Sequence, residues 1–307
     1  MTSHIRRFIR RIIRTLTAEV VRRGETNTIL LAKMHVDRIR KAGSISALSD
    51  VEFKAFSQWG EDGIIQYLIH NVPISDTSFV EFGVENYTEA NTRFLLINDL
   101  WRGLVLDGSQ YNIDYIRKDG IYWKYDFTAK CLFITRENIN EVLTSSGFVG
   151  DIGLLSIDID GNDYWVWDAI DVVTPHIVIC EYNSIFGAEH AVTVPYDEKF
   201  DWSEAHYSHL YFGASLAALC SLAEQKEYDF VGCNSAGVNA FFVRRDLKHG
   251  LPTFSATEGF VQSGVRQSRD RSGNLSFLSG EERIESIKDM PLHDVRTNKI
   301  IRVKDIF

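Results

Sequence analysis

Residues 152–163 read IGLLSIDIDGND. A nearly continuous apolar run reaches Asp158, then Asp160, then Gly161 and Asp163. A run of this kind has the character of a strand buried on both faces that emerges at its carboxyl end into a polar turn. Working outward, the same pattern recurs as SFVEFGV (78–84), GLVLDG (103–108), the weaker IYWKYDF (121–127), HIVICEYN (176–183), and DFVGCN with NAFFVR (229–244). The intervals 85–100, 109–120, 128–148, 161–173 and 213–228 have helical length or turn-rich character. Short apolar strands separated by crossovers predict an α/β fold, its sheet mostly parallel and covered on both faces. The link SAGV (235–238) between the last two runs predicts a hairpin and therefore an antiparallel edge strand.

The 307 residues are 45% hydrophobic and 24% charged, which excludes a disordered chain and leaves enough apolar side chains for a real core. Cys131, Cys180, Cys220 and Cys233 show no paired spacing, so neither a zinc knuckle nor a disulfide framework is expected. The net charge of -9 argues against a nucleic-acid partner. That charge is uneven: residues 1–23 hold seven arginines and one glutamate, leaving -15 for the remainder.

In the basic N-terminus Ile5, Phe8, Ile9, Ile12, Ile13 and Leu16 recur at helical spacing, with Arg6, Arg7, Arg10, Arg11 and Arg14 on the other face. This predicts a basic amphipathic helix over 4–23, and a second helix over 26–44 ending at Gly43. Such a helix either docks on protein, in this chain or in a second copy, or makes peripheral contact with an anionic membrane surface. No apolar run of transmembrane length occurs, so the expected location is cytoplasmic, with surface association of residues 4–23 left open. Ser57 is the expected N-cap of a helix with the stripe Ile64, Ile65, Leu68 and Ile69. The expected division is a helical extension (1–50), a core (51–248) and a loop-rich tail (249–307) folding over an acceptor site. Residues 184–212 and 250–296 read as insertions or tails.

In an open parallel sheet ligands bind beyond the carboxyl ends of the strands. Those ends carry Glu81 before Gly83, Asp107 before Gly108, Asp158 with Asp160, and Glu181 with Asn183. One glycine follows the first strand where a dinucleotide loop has three, and no GxxxxGK[ST] occurs, so the usual nicotinamide, flavin and triphosphate loops are excluded. Asp107 is placed to accept hydrogen bonds from a ribose diol. Carboxylate and amide oxygens of Asp158, Asp160, Glu181 and Asn183 suit Mg²⁺ or another hard cation; a general base, or cofactor-binding acids with no metal, are the alternatives. Candidate bases are His190 and His206 or His209, in the segment after the fifth strand.

The runs SQWGED (57–62) and FVEFG (79–83), with Asn91-Thr92, Trp101-Arg102-Gly103 and Asp107-Gly108, resemble the S-adenosylmethionine-dependent methyltransferases of the FkbM-like group. So do SIDIDGNDY (156–164), Glu181-Tyr182-Asn183, Gly232-Cys233-Asn234 and NAFFV (239–243), the likeness covering roughly 55–245. It implies a class I methyltransferase (Rossmann-like) fold: a seven-stranded, mostly parallel sheet with an antiparallel terminal hairpin, here with added N-terminal helices. It further implies S-adenosyl-L-methionine as cofactor, held by Gln58, Glu81, Gly83, Asn91, Asp107, Gly108, Asp126 and Asp158. Asp158 and Asp160 then stand near the transferred methyl. A second likeness, to metal-dependent sugar O-methyltransferases, places Mg²⁺ at Asp158 or Asp160 with Glu181 and Asn183. At Val84 to Tyr87 the chain lacks the second glycine that such a cofactor loop usually has.

The expected activity is O-methylation of a sugar or glycoconjugate hydroxyl, Mg²⁺-assisted or not. N- or carboxyl-methylation of a small molecule is one alternative. A degenerate, non-enzymatic partner-binding subunit of polysaccharide biosynthesis is another. A homo-oligomer would form through the first helices.

Overall fold

In the computed structural model, residues 3–41, 43 and 45–307 are described, except for the side chains of 3–19, 21 and 22. The sheet strands are β1 (Ser78–Phe82), β2 (Arg102–Asp107), β3 (Phe127–Cys131), β4 (Gly150–Ile157), β5 (Val173–Glu181), β7 (Tyr228–Cys233) and β8 (Asn239–Arg244). Three short strands, β6 (Val192–Thr193), β9 (Pro291–Asp294) and β10 (Lys299–Arg302), form a second sheet. The helices are α1 (Ser3–Arg40), α2 (Glu61–Asn71), α3 (Arg93–Asn98), α4 (Gln110–Lys118), α5 (Ile121–Lys124), α6 (Ile139–Ser145), α7 (Asp163–Ala169), α8 (Trp202–Ala205), α9 (Leu216–Gln225), α10 (Ala256–Gly259) and α11 (Glu281–Ile287).

The seven-stranded sheet runs β3-β2-β1-β4-β5-β8-β7, parallel except for β8, which is antiparallel to both β5 and β7. This is the doubly wound sheet with an antiparallel terminal hairpin that the strand pattern implies, in the seven-stranded form that the resemblance leads one to expect. Apolar residues of the strands alternate between two cores. Val80, Leu104, Leu155 and Val178 pack with α6, α7 and α9; Phe79, Val105, Leu154 and Ile177 pack with α2 and α4. The chain leaves β1 for β2 on one side and enters β5 from β4 on the other, so the crossovers diverge at the β1–β4 boundary. Crevices at such a switch point receive ligands.

Four expectations change. The third strand is Phe127–Cys131, and 121–124 is a helical turn anchored by buried Ile121. The two N-terminal helices are one: α1 runs through Gly24, whose cost of about 1 kcal/mol is small in a helix this long. It docks through Ala32, Val36 and Ile39, with Phe53 and Phe56 among the residues beneath. The amphipathic face expected over 4–23 falls largely on side chains outside the described residues.

Gly60, at φ +115, caps α2 in place of Ser57. Ser57 instead joins Ala55 and Phe56 around one oxygen of Asp62: their three backbone N–H groups donate at 2.7–2.8 Å and the Ser57 hydroxyl at 2.9 Å.

The boundary expected at 248/249 does not separate the tail from the insertion before it. β6 pairs with β9, and Ile185, Phe186, Val192, Leu210 and Tyr211 share one core with Ile287, Leu292 and Val303. Residues 184–212 and the last thirty residues thus build a small subdomain at the carboxyl end of β5. No helix among the described residues is long and apolar enough to cross a membrane.

Candidate functional site

The site begins where β1 and β4 part. Gly83 has φ +71, and a Cβ there would lie 1.5 Å from the backbone oxygen of Asp158. The ends of β1 and β4 therefore meet backbone to backbone, which only glycine permits. Beyond it, Glu85 (φ 46) and Tyr87 (φ 61) take left-handed conformations. The second glycine is replaced by strain held in place: the Tyr87 ring is fully buried, stacks on Phe127 at 4.8 Å, and its hydroxyl meets the Thr92 hydroxyl at 2.8 Å. Arg93 locks the turn. It is buried, donates from Nη1 to the Tyr87 carbonyl at 3.0 Å, and reaches Glu25 of α1 and Asp119 at 3.3 and 3.4 Å.

Glu81 has a different task from the one the resemblance implies. Its carboxylate accepts from the backbone N–H groups of Asn91 (2.8 Å) and Thr92 (3.1 Å) and from the Thr92 hydroxyl. Both oxygens are thus occupied at the start of α3, tying loop 84–92 to the strand. Burial is the main cause pushing this carboxyl up to about 7, against the opposing hydrogen bonds. Asn91 is likewise engaged, donating to the Ser156 hydroxyl at 3.1 Å.

Asp107, at the end of β2, accepts through Oδ1 from the Ser109 N–H (2.8 Å) and the Asn112 amide (3.1 Å). Its Oδ2 has no hydrogen-bond partner among the described residues. Beside it, a Cβ on Gly108 would stand 3.7 Å from the ring of Phe133, an aromatic 54% exposed just past the end of β3. Phe133 escapes sequence reading because the third strand was placed too early; its only signal is a large aromatic after an acid-free strand end. Asp126 is corrected for the same reason. It is exposed and precedes β3, its carbonyl pairing with the Gly103 N–H at the amino edge of the sheet, remote from the rim. Gln58 is exposed in the loop before α2, where its carbonyl accepts from Lys54.

The ends of β4 and β5 converge. One oxygen from each of Asp158, Asp160 and Glu181 lies within 4.8 Å of the others. Asp163 shapes this turn, accepting from the Ile159 N–H (2.8 Å) and the Gly161 N–H (2.9 Å), while Asp160 stands at φ 54. Burial and then repulsion from Asp160, Asp163, Glu81 and Glu61 hold the Asp158 carboxyl well above its ordinary range. Burial and then Asp158, Asp160 and Asp163 do the same to Glu181. Asp160 keeps solvent on one side, yet desolvation within the cluster, with Asp163, Glu85 and Asp201, pushes it up to about 7. Three carboxylates this close do not all ionise unaided; they share protons or hold a cation. Glu181 Oε2 is buried without a hydrogen-bond partner, which a hard cation would supply.

Asn183, beside this group at the end of β5, has a structural task as well. Its amide donates to the carbonyls of Leu210 and Phe212, both at 3.0 Å, and its oxygen accepts from the Ile185 N–H. It fastens β5 to the loop before α9.

Two segments flank the acids. Phe200 packs on Gly161 so closely that a Cβ there would meet its ring at 2.2 Å, and Asn162 donates to the Asp197 carbonyl. On the other side Tyr182 donates to the Val261 carbonyl, and the Ser263 N–H donates to Ser184.

The histidines divide. His206 lines a separate groove of about 530 Å³ with Tyr207, Arg271, Glu282 and Met290. His190 is exposed beside Phe307 at the C-terminus. Neither is brought to the carboxylates. His209 stands against Trp202, ring centroids 4.8 Å apart, and is not one of the group that converges on the carboxylates.

No protein-family model and no curated protein matches the chain. Among solved structures it is similar to the N-terminal domain of EvdMO1 with SAH bound: TM-score 0.40, 11% identity, covering 69% of this chain and 94% of that one. It is also similar to the O-methyltransferase from Bacillus cereus in complex with SAH (0.39, 11%, 70% and 89%). A third is an S-adenosylmethionine-dependent methyltransferase from Clostridium acetobutylicum (0.37, 10%, 60% and 89%).

Proposed function

We propose that the chain is an S-adenosylmethionine-dependent O-methyltransferase whose acceptor is a sugar or glycoconjugate hydroxyl, assisted by a divalent cation. The finer placement among FkbM-like enzymes rests on the sequence motifs alone. The observation that carries the reading is the juxtaposition along one sheet edge of a free acidic oxygen on Asp107 and the Asp158–Asp160–Glu181 cluster. They flank the switch point where Gly83 lets β1 approach the end of β4. A ribose diol offers two donors to one carboxylate, and Asp107 Oδ2 has the capacity for it. Phe133 provides an exposed flat face beside Gly108 for a purine.

The cofactor supplies an electrophilic methyl, and a cation, where bound, favours ionisation of the acceptor hydroxyl. The chain's own residues do the rest. Asp158 and Glu181, with Asp160, offer the hard oxygen donors that Mg²⁺ takes. With no cation bound, Asp160, with its carboxyl near neutrality, is matched to accept the hydroxyl proton at Oδ. The segments around Phe200 and Val261 bound the acceptor side and limit water. Transfer in line asks little covalent chemistry of the protein, so positioning dominates.

The test is transfer of labelled methyl from S-adenosylmethionine to a panel of monosaccharides, nucleotide sugars and, as controls, amines and carboxylic acids. Labelling of hydroxyl acceptors that chelator suppresses and Mg²⁺ restores supports the reading. Labelling of amines or carboxylates alone overturns the acceptor class, and unchanged rates in chelator overturn the cation.

A further inference from the structure

Helix α1 extends along about 57 Å at 1.5 Å per residue, far more than its docking requires. The docked face is Ala32, Val36 and Ile39, with Glu25 reaching Arg93. The opposite face carries exposed apolar side chains: Val20, Leu30, Leu31 and Met34 are 70%, 58%, 60% and 68% exposed. Of these, Val20, Leu30 and Met34 follow a heptad. Steps of four and three residues lead through Val20, Arg23, Asn27, Leu30 and Met34, and in the sequence the same steps extend back through Leu16 and Ile13 to Ile9. That places Ile13, Val20, Asn27 and Met34 at a, and Ile9, Leu16, Arg23 and Leu30 at d. All five described members of the row are exposed.

We infer that α1 pairs with α1 of a second copy as a parallel two-stranded coiled coil. Three observations select this occupant. Among the described residues, Val20, Leu30 and Met34 lie on the side of α1 away from the docked face, so two copies related by a two-fold axis can meet there without the cores colliding. β-branched residues at a with leucine at d favour two strands. An asparagine in the middle of the a row meets its own counterpart in a parallel pair, whereas reversing one helix sets the amide opposite Leu16 without a partner. A lipid surface fits less well, because Asn27 and Arg23 stand at the midline of the stripe, where the acyl boundary disfavours them. Arg23 is the weak layer of the row.

The test uses the full chain. Light scattering after gel filtration is expected to give twice the 35.0 kDa chain mass. Leu30→Glu with Met34→Glu, both at exposed positions, is expected to halve that mass with circular dichroism and melting temperature of the body unchanged. Asn27→Cys is expected to form a covalent dimer on mild oxidation under conditions where the parent chain does not. A monomer at tens of micromolar overturns the proposal, as does a dimer indifferent to the two glutamates. A glutamate-sensitive dimer that does not crosslink at position 27 overturns the parallel arrangement. A monomer that co-sediments with phosphatidylserine vesicles assigns the face to lipid and overturns the pairing.

Discussion

Gly83 and the carbonyl of Asp158 touch where β1 and β4 diverge, closely enough that a methyl group at position 83 would stand 1.5 Å from the oxygen. Gly83→Ala therefore has to push two strand ends apart at a positive φ. A loss of about 3 kcal/mol or more in urea unfolding is expected. Gly150→Ala, also at positive φ but with nothing within 4 Å of the added carbon, is the control and loses about 1–2 kcal/mol. Equal losses would show that the close approach has no weight.

Phe133 is exposed and contributes little to the core, so Phe133→Ala separates binding from folding. The expected result is an unchanged melting temperature and a KM for S-adenosylmethionine raised roughly threefold to tenfold, from about 0.5–1.5 kcal/mol of lost stacking, with kcat retained. A stability loss with no change in KM would make Phe133 a packing residue.

The cation reading predicts that Asp160→Asn and Glu181→Gln each lower kcat by about 100-fold or more while S-adenosylmethionine still binds. The same variants are expected to lose most of the response to added Mg²⁺. Calorimetry with Mg²⁺ and S-adenosylhomocysteine on each variant checks both points.

Glu81 ties loop 84–92 to the sheet, and burial raises its carboxyl from the ordinary 4.5 to about 7. The folded chain thus holds this proton more tightly than the unfolded one. The associated stabilisation is present below about pH 4.5 and is lost as pH rises to about 7, on the order of 3 kcal/mol. Asp62, raised by burial to about 6, acts in the same direction over a lower window. Urea unfolding of wild type at pH 5 and pH 8 is expected to show that decline, and Glu81→Gln to flatten the Glu81 share. Because the Gln amide would face N–H donors, the variant is also expected to be less stable at pH 5 by about 1–3 kcal/mol.

Much of the sheet was legible because its central strands are apolar on both faces. Leu154 and Leu155 in β4, or Val178 and Ile179 in β5, offer no other reading. The edge strand β3 was not, because FTAKC alternates buried and exposed positions and the aromatic run before it looks more like a strand than it is. That single slip moved Asp126 to the rim and hid Phe133. The acids of β4 and β5 were found because acid residues at apolar strand ends are conspicuous. The structural task of Asn183 was not legible: its partners, the carbonyls of Leu210 and Phe212, lie more than twenty residues away and leave no local trace. The tail looked unstructured because β9 and β10 are four residues each, too short for periodicity to register.

The most direct measurement is a calorimetric titration of S-adenosylmethionine into wild type and Asp107→Asn. The asparagine oxygen can still accept from Ser109 and Asn112, so the loop is kept while the charged acceptor for the ribose is removed. Saturable binding by wild type, weakened about tenfold or more in the variant, is the predicted result. No heat from wild type at millimolar cofactor, or equal affinity in the two chains, would contradict it.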